Sequence, residues 1–294
     1  MSRISKLGLG IVAFEGTEHI KNITYELRDA CDYIVVCLQK ISYDGEHNIS
    51  QFDIDECEHL KSCGLIDNII WFESKTDYSS IAEQRSVPRR IETDKRNYIL
   101  QDLEQHGMTH GMVIDSDEFY DHDDFMLAKK IFDSNDEMKV SYCEYVNYYR
   151  DYQHLLIWPF RSYVPFITEI QYRFSFDNGS FDRPSDPTRR YLIPERGKYH
   201  IFPYRTVKMH HLSWIRINIE RKIDAWSAKK YFENVQDLRK KILERYYGYN
   251  DGQNAFITFN VPNFEVSVNK LPRQYINPKY LLHEQAKPYN GYNR

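Results

Sequence analysis

The sequence lacks several features that would settle its class at once. No apolar run approaches the roughly 18–20 residues of a membrane-spanning helix, so no span is expected. Positive charge is not in excess: 39 Lys and Arg stand against 43 Asp and Glu, a formal net charge of −4. Such a balance provides no general field for a polyanion, and any nucleic-acid contact needs a local patch. Cysteine is scarce, with five residues at positions 31, 37, 57, 63 and 143. An odd count argues against a closed disulfide framework. Cys57 and Cys63, separated only by Glu58–Ser62, have no paired His or Cys elsewhere to complete a zinc site. They read as structural thiols in a reducing, cytoplasmic setting. Internal repeats and low-complexity tracts are absent too.

What is there alternates. Leu7–Phe14 is a continuous apolar run, too short for a membrane and without a small-residue cleavage site, so it reads as a strand. Gly16 or Thr17 caps a helix with an apolar stripe of Ile20, Ile23, Leu27 and Ala30. Tyr33–Leu38 is a second strand, Asp53–Cys63 a helix stopped by Gly64, and Ile69–Phe72 a third strand. Ile91–His106 is helical, Met112–Ile114 leads as a fourth strand into Asp115, and Phe125, Ala128, Ile131 and Phe132 mark a further helix. Short buried strands between amphipathic helices predict an α/β fold with a mostly parallel sheet. Such sheets bind ligands at the carboxyl ends of their strands, where Glu15, Gln39 and Asp115 fall.

From about Val140 the pattern changes. Strand-like Lys139–Tyr149, Leu155–Trp158 and Val207–His210 flank a polar stretch, Asp177–Lys198, that reads as a lid or acceptor-binding loop. Ten of the 24 tyrosines lie between Tyr142 and Tyr204, suited either to stacking on sugars and bases or to walling a cleft. Ile217 to Tyr247 is helical again, with Ile219, Ile223, Trp226 and Phe232 on one side. The tail after it, with Pro262, Pro272, Pro278 and Pro288, shows little periodicity.

Chemistry concentrates in Gly111–Tyr120. Asp115, Asp117 and Glu118 crowd the end of a buried strand, repel one another, and persist cheaply only if a cation neutralises them. Their hard oxygens suit Mg2+ or Mn2+, and residues two apart in an extended segment face the same way, so Asp115 and Asp117 converge. An EF-hand is excluded, since its glycine position holds Tyr120 and its closing glutamate position Met126. An isolated acidic tripeptide is more often a solvated turn; here the context differs. Asp94-Lys95-Arg96-Asn97 sits on the preceding helix, and five of the twelve residues from Arg85 to Arg96 are basic, a local anion site in a net acidic chain.

This order of features, with Lys95-Arg96-Asn97 followed by Asp115-Ser116-Asp117-Glu118-Phe119, resembles the GT-A glycosyltransferases, family 2-like, over residues 7–132. The resemblance implies a Rossmann-like sheet flanked by helices, with an acceptor-side β and loop region and C-terminal helices. Residues 1–135 would be the nucleotide-sugar-binding half, 136–215 the acceptor-side half of the same domain, and 216–294 C-terminal helices and tail. It implies transfer of a sugar from a nucleotide sugar, UDP-linked, to an acceptor hydroxyl. Ala13, Phe14, Glu15 and Gln39 would hold the nucleoside, and Arg96 and Asn97 would lie near the phosphates. Asp115, beside Ser116, would bind ribose or metal, and Asp117 would hold the Mn2+ or Mg2+. A later His often completes the metal site; of His210 and His211, His211 is preferred because Ser213 follows on its face. An inverting enzyme also needs an acidic base, for which Glu144, Asp151, Glu169, Asp177, Asp182 and Asp186 are candidates. Asp186, in a turn-rich loop, is the choice, although an Asp before Pro is equally a turn former. The family's usual acidic base motif is not recognisable, so inverting and retaining chemistry both stay open.

Three other readings remain. The acceptor is a glycan, a small molecule or a modified base of phage-type DNA; Arg85–Arg96, Arg183–Arg196 and the clustered Tyr permit the last, and net charge disfavours it. A metal-dependent phosphohydrolase or nucleotidyltransferase would need a second acidic pair, which the first half lacks. A non-catalytic nucleotide-sugar or carbohydrate-binding module needs no base at all.

Overall fold

The continuous apolar runs of the first third become strands, and the amphipathic segments between them become helices. The structure is a computed structural model describing residues 6–14, 16–42, 47–73, 86–157, 161–193, 199–225, 234–256 and 265–270. In chain order the first elements are β1 (Leu7–Ala13), α1 (Ile20–Leu27), β2 (Tyr33–Gln39), α2 (Gln51–Ser62), β3 (Asn68–Phe72), α3 (Val87–Gln105), β4 (His110–Asp115), β5 (Glu118–Phe119) and α4 (His122–Asp133). There follow β6 (Val140–Tyr149), β7 (Asp151–Ile157), β8 (Tyr163–Glu169), β9 (His200–Ile201), β10 (Lys208–Trp214), α5 (Ile219–Ala225), α6 (Val235–Tyr247), β11 (Ala255–Phe256) and β12 (Glu265–Lys270). The chain divides into two compact units, Met1–Tyr145 with Phe160–His210, and Val146–Pro159 with His211–Arg294.

The first unit is α/β, with a mixed sheet that is parallel at its core and flanked by helices. Its strands run in the order β3-β2-β1-β4-β8-β6. β1 pairs in parallel with β2 (Gly10 opposite Val35) and with β4 (Val12 opposite Asp115), and β2 pairs in parallel with β3. β8 then runs antiparallel to β4, and β6 antiparallel to β8. Every residue of β1 and β2 is buried, which alternating side chains allow only when both faces are covered. α3 lies close on β1: a Cβ at Gly10 would come within 2.0 Å of Ile99 Cγ2. Helix ends follow their local chemistry. Ser50 caps α2, Asp121 caps α4, and Gly64 and Gly107 take positive φ just past α2 and α3.

In the second unit β12 pairs antiparallel with β7 and β11 with β12. Tyr149, Trp214, Tyr246 and Tyr249 pack with Ile219, Ile223, Leu238 and Ile242 as its core. Two sequence expectations are corrected here and in the first unit. Residues 265–270, read as part of an aperiodic tail, form a strand. β8, not foreseen, contains Pro165, which pairs opposite Tyr142 beside a register shift in β6; a bulge is where a sheet tolerates proline. Trp226, Phe232 and the four tail prolines lie outside the described residues.

Candidate active site

The first unit's chain runs from β1 out to β2 and β3, then crosses back to place β4 on the other side of β1. The crevice at the carboxyl ends of β1 and β4 is therefore the topological switch point, where open α/β sheets bind ligands. Asp115, opposite Val12 on β1, ends β4 at that point, and the Ser116 N–H donates to Val12 O at 3.0 Å. The tripeptide is held close to the sheet: Ser116, Asp117 and Glu118 are buried, while the Asp115 carboxyl is 30% exposed.

Two arginines take the Asp115 carboxylate. Arg96, one turn before Ile99 on α3, is 2% exposed and donates from Nη2 to Asp115 Oδ1 at 2.7 Å and to Glu92 Oε1 at 3.0 Å. Arg189 ends the 3-10 turn Pro187–Arg189 and is likewise buried. Its Nη2 donates to Asp115 Oδ2, and its Nη1 lies 2.5 Å from Glu118 Oε1. Glu118 Oε2 accepts from the Asp115 N–H at 3.0 Å. Beside them, buried Lys95 reaches Glu92 at 3.2 Å and Gln39 Oε1 at 3.1 Å. Burial works against a charged Asp115, but the Arg189 and Arg96 guanidiniums outweigh it and hold its pKa down to about 2, against repulsion from Asp117. Burial likewise opposes the charge on each arginine, and Asp115 foremost reverses it, so both stay firmly protonated. Two nitrogens of Arg96, Nε and Nη1, and the buried Tyr191 hydroxyl have no hydrogen-bond acceptor or donor opposite them among the described residues. Tyr145 stands near Arg189, Asp186 and Glu118, its hydroxyl pKa raised chiefly by burial.

The sequence-predicted residues distribute as follows. Ala13 is buried at the end of β1 with half-buried Phe14 after it, and Gln39 ends β2, its Nε2 donating to Ile41 O at 2.7 Å. Glu15 lies outside the described residues. Asn97, expected at the phosphates, instead clamps Phe174: its Nδ2 donates to Phe174 O at 2.9 Å and its Oδ1 accepts from Phe174 N at 2.8 Å. An amide with both ends committed to backbone is a structural brace. His211, the preferred metal ligand, belongs to the second unit, where its Nδ1 is 2.7 Å from Asn147 Oδ1. His210 is the one in the unit of the tripeptide, buried and edge-on to Phe119 at 6.5 Å. Asp186 caps the turn that carries Arg189, its Oδ1 accepting from the Thr188 N–H and hydroxyl, both at 2.8 Å; the turn-forming reading holds. The other base candidates have side-chain partners: Glu144 with Arg161, Glu169 with Lys139, Asp177 with Arg90, Asp182 with Tyr199, and Asp151 with the His154 imidazole.

Of the residues expected to hold Mn2+ or Mg2+, Asp115 lies between guanidinium groups and Asp117 is buried beside it. Both Asp115 oxygens and one Glu118 oxygen face guanidinium groups. Among the described residues no group of three or more His, Cys, Asp or Glu is arranged to hold a metal ion. Half of the ten clustered tyrosines are buried in the core: Tyr142 stacks on Phe181 at 3.8 Å and Tyr191 on Phe174 at 4.1 Å. Sequence reasoning missed Arg189. Its signal was the Asp186-Pro187 turn, which fixes where the guanidinium starts but not where it ends.

No model of a known protein family matches the chain, and no curated protein matches it significantly. Among the described residues no helix is long and apolar enough to cross a membrane.

Proposed function

We propose that the first unit binds a nucleoside-diphosphate sugar at the carboxyl ends of β1, β2 and β4 and transfers its sugar to an acceptor hydroxyl, as a GT-A type glycosyltransferase. One observation carries the reading: two buried arginines from different elements meet on one acidic residue at the switch point of a parallel sheet. That crevice suits a ligand with an apolar ring at one end and a dianionic diphosphate at the other. The strand order β3-β2-β1-β4 with antiparallel β8 and β6 beyond it supports the fold assignment.

The chemistry follows from charge. As the bond from the sugar's anomeric carbon to the diphosphate breaks, negative charge collects on the leaving oxygen, and Arg96 and Arg189 stabilise it there. On this reading Asp186, exposed and fixed through one oxygen, takes the acceptor's proton. Ala13, Phe14 and Gln39 border the nucleoside, and UDP is the nucleotide of choice. Five free thiols, four of them buried, fit a reducing, cytoplasmic setting.

The test is nucleotide release from a panel of UDP-, GDP- and CMP-sugars with Mn2+ and Mg2+ both supplied. Release from a nucleoside-diphosphate sugar is expected. A folded protein that releases nothing from any donor contradicts the proposal.

A further inference from the structure

Asp115 requires a neutralising charge, and two guanidinium groups of the first unit supply it. Glu92, Asp115 and Glu118 meet Lys95, Arg96 and Arg189 in one network, three carboxylates against three cations. Arg189 bridges Asp115 and Glu118. Its pairing is fixed from both directions: Asp186 and Thr188 shape the turn behind it, Asp115 ends β4 and Glu118 opens β5. Arg96 meanwhile keeps two buried nitrogens, Nε and Nη1, without an acceptor among the described residues. Buried donors in that state carry a free-energy cost that an arriving anion relieves.

We infer that Arg96 and Arg189 replace the divalent cation at this site, so that the donor's diphosphate is bound and its departure stabilised by guanidinium groups alone. The inference rests on the nucleotide-sugar reading and refines it. A guanidinium supplies a planar pair of donors to phosphate oxygens, and both Asp115 oxygens are already taken by guanidinium groups. In the transfer step the bond between the anomeric carbon and the diphosphate oxygen breaks, and its electron pair passes to that oxygen beside the arginines. The acceptor oxygen bonds to the anomeric carbon and its proton goes to Asp186. No oxidant, reductant or metal is needed for the balance.

The full-length protein is tested in two arms. With metal alone, thermal melts of the wild type in EDTA, Mn2+ or Mg2+ are expected to coincide, because nothing folded binds the ion. Arg189→Gln, which strips Asp115 and Glu118 of their cation, is expected to gain stability on adding Mn2+. With nucleotide, calorimetric titration of UDP and GDP is expected to give the same affinity in EDTA as in Mn2+. Arg189→Gln in EDTA should bind weaker by on the order of tenfold or more, with Arg189→Lys between the two. Wild type stabilised by Mn2+ alone overturns the inference. So does nucleotide binding that EDTA abolishes, a result that leaves glycosyl transfer standing. An Arg189→Gln protein that folds and gains nothing from Mn2+ also counts against it. No nucleotide binding under either condition overturns both readings. Should Arg189→Gln fail to fold, the wild-type arms decide alone.

Discussion

Asn97 holds Phe174 by both ends of its amide, and Phe174 in turn stacks on Tyr191 beside Arg96. Asn97→Ala leaves a buried backbone N–H and C=O unmatched. It is expected to lower unfolding free energy by about 1–3 kcal/mol, read by urea titration. An unchanged stability with lost nucleotide binding would restore Asn97 to the ligand. His210 makes a pH-dependent prediction. Burial, helped by Lys208, lowers its pKa from 6.5 to about 3. Below its ordinary value the unfolded chain takes up a proton that the native state refuses. Stability therefore falls as pH drops from 6.5 toward 3, by up to about 1.4 kcal/mol per pH unit from this group. His210→Gln should show a shallower slope across that window; coincident slopes would mean that the imidazole is not held neutral. Residue identity made Arg96 and Asp115 legible at one sheet edge, as a phosphate ligand and a ribose or metal ligand; their ion pair was not read from it. It could not make Arg189 legible, because 74 residues separate it from Asp115 and only the tertiary fold joins them.

At the scale of elements, the site depends on how closely α3 approaches β1. Gly10→Ala places a methyl group 2.0 Å from Ile99 Cγ2, where it must displace the helix that carries Arg96. Overpacking of this kind costs about 1–3 kcal/mol, so the melting temperature is expected to drop. Adding Ile99→Ala should recover part of the loss, whereas purely additive losses would show that the two positions do not touch. The first half of the fold was legible because its strands are apolar runs between amphipathic helices, a pattern set by local chemistry, although the Gly16 or Thr17 cap expected for α1 is not formed. β8 was not, because Pro165 reads as a strand breaker until the shift in β6 is known to receive it. β12 was not either: Glu265–Lys270 is short, alternates with polar residues, and gains its partner from β7, about a hundred residues earlier.

For the molecule as a whole, a net charge of −4 coexists with a local concentration of buried cations at one sheet edge. That contrast favours a small anionic donor over a long polyanion, whose many phosphates need an extended basic surface. It also explains why composition alone was a poor guide to the site: the arginines that matter are matched by carboxylates and vanish from any net count. The account stands on the claim that these arginines carry a diphosphate through its departure. Its most direct test is the rate of nucleotide release by wild type and Arg96→Gln on the preferred nucleoside-diphosphate sugar, with folding of the variant checked by its melting curve. The expected result is a folded variant slower by on the order of a hundredfold or more. Equal rates in a folded Arg96→Gln protein would contradict the assignment of this site.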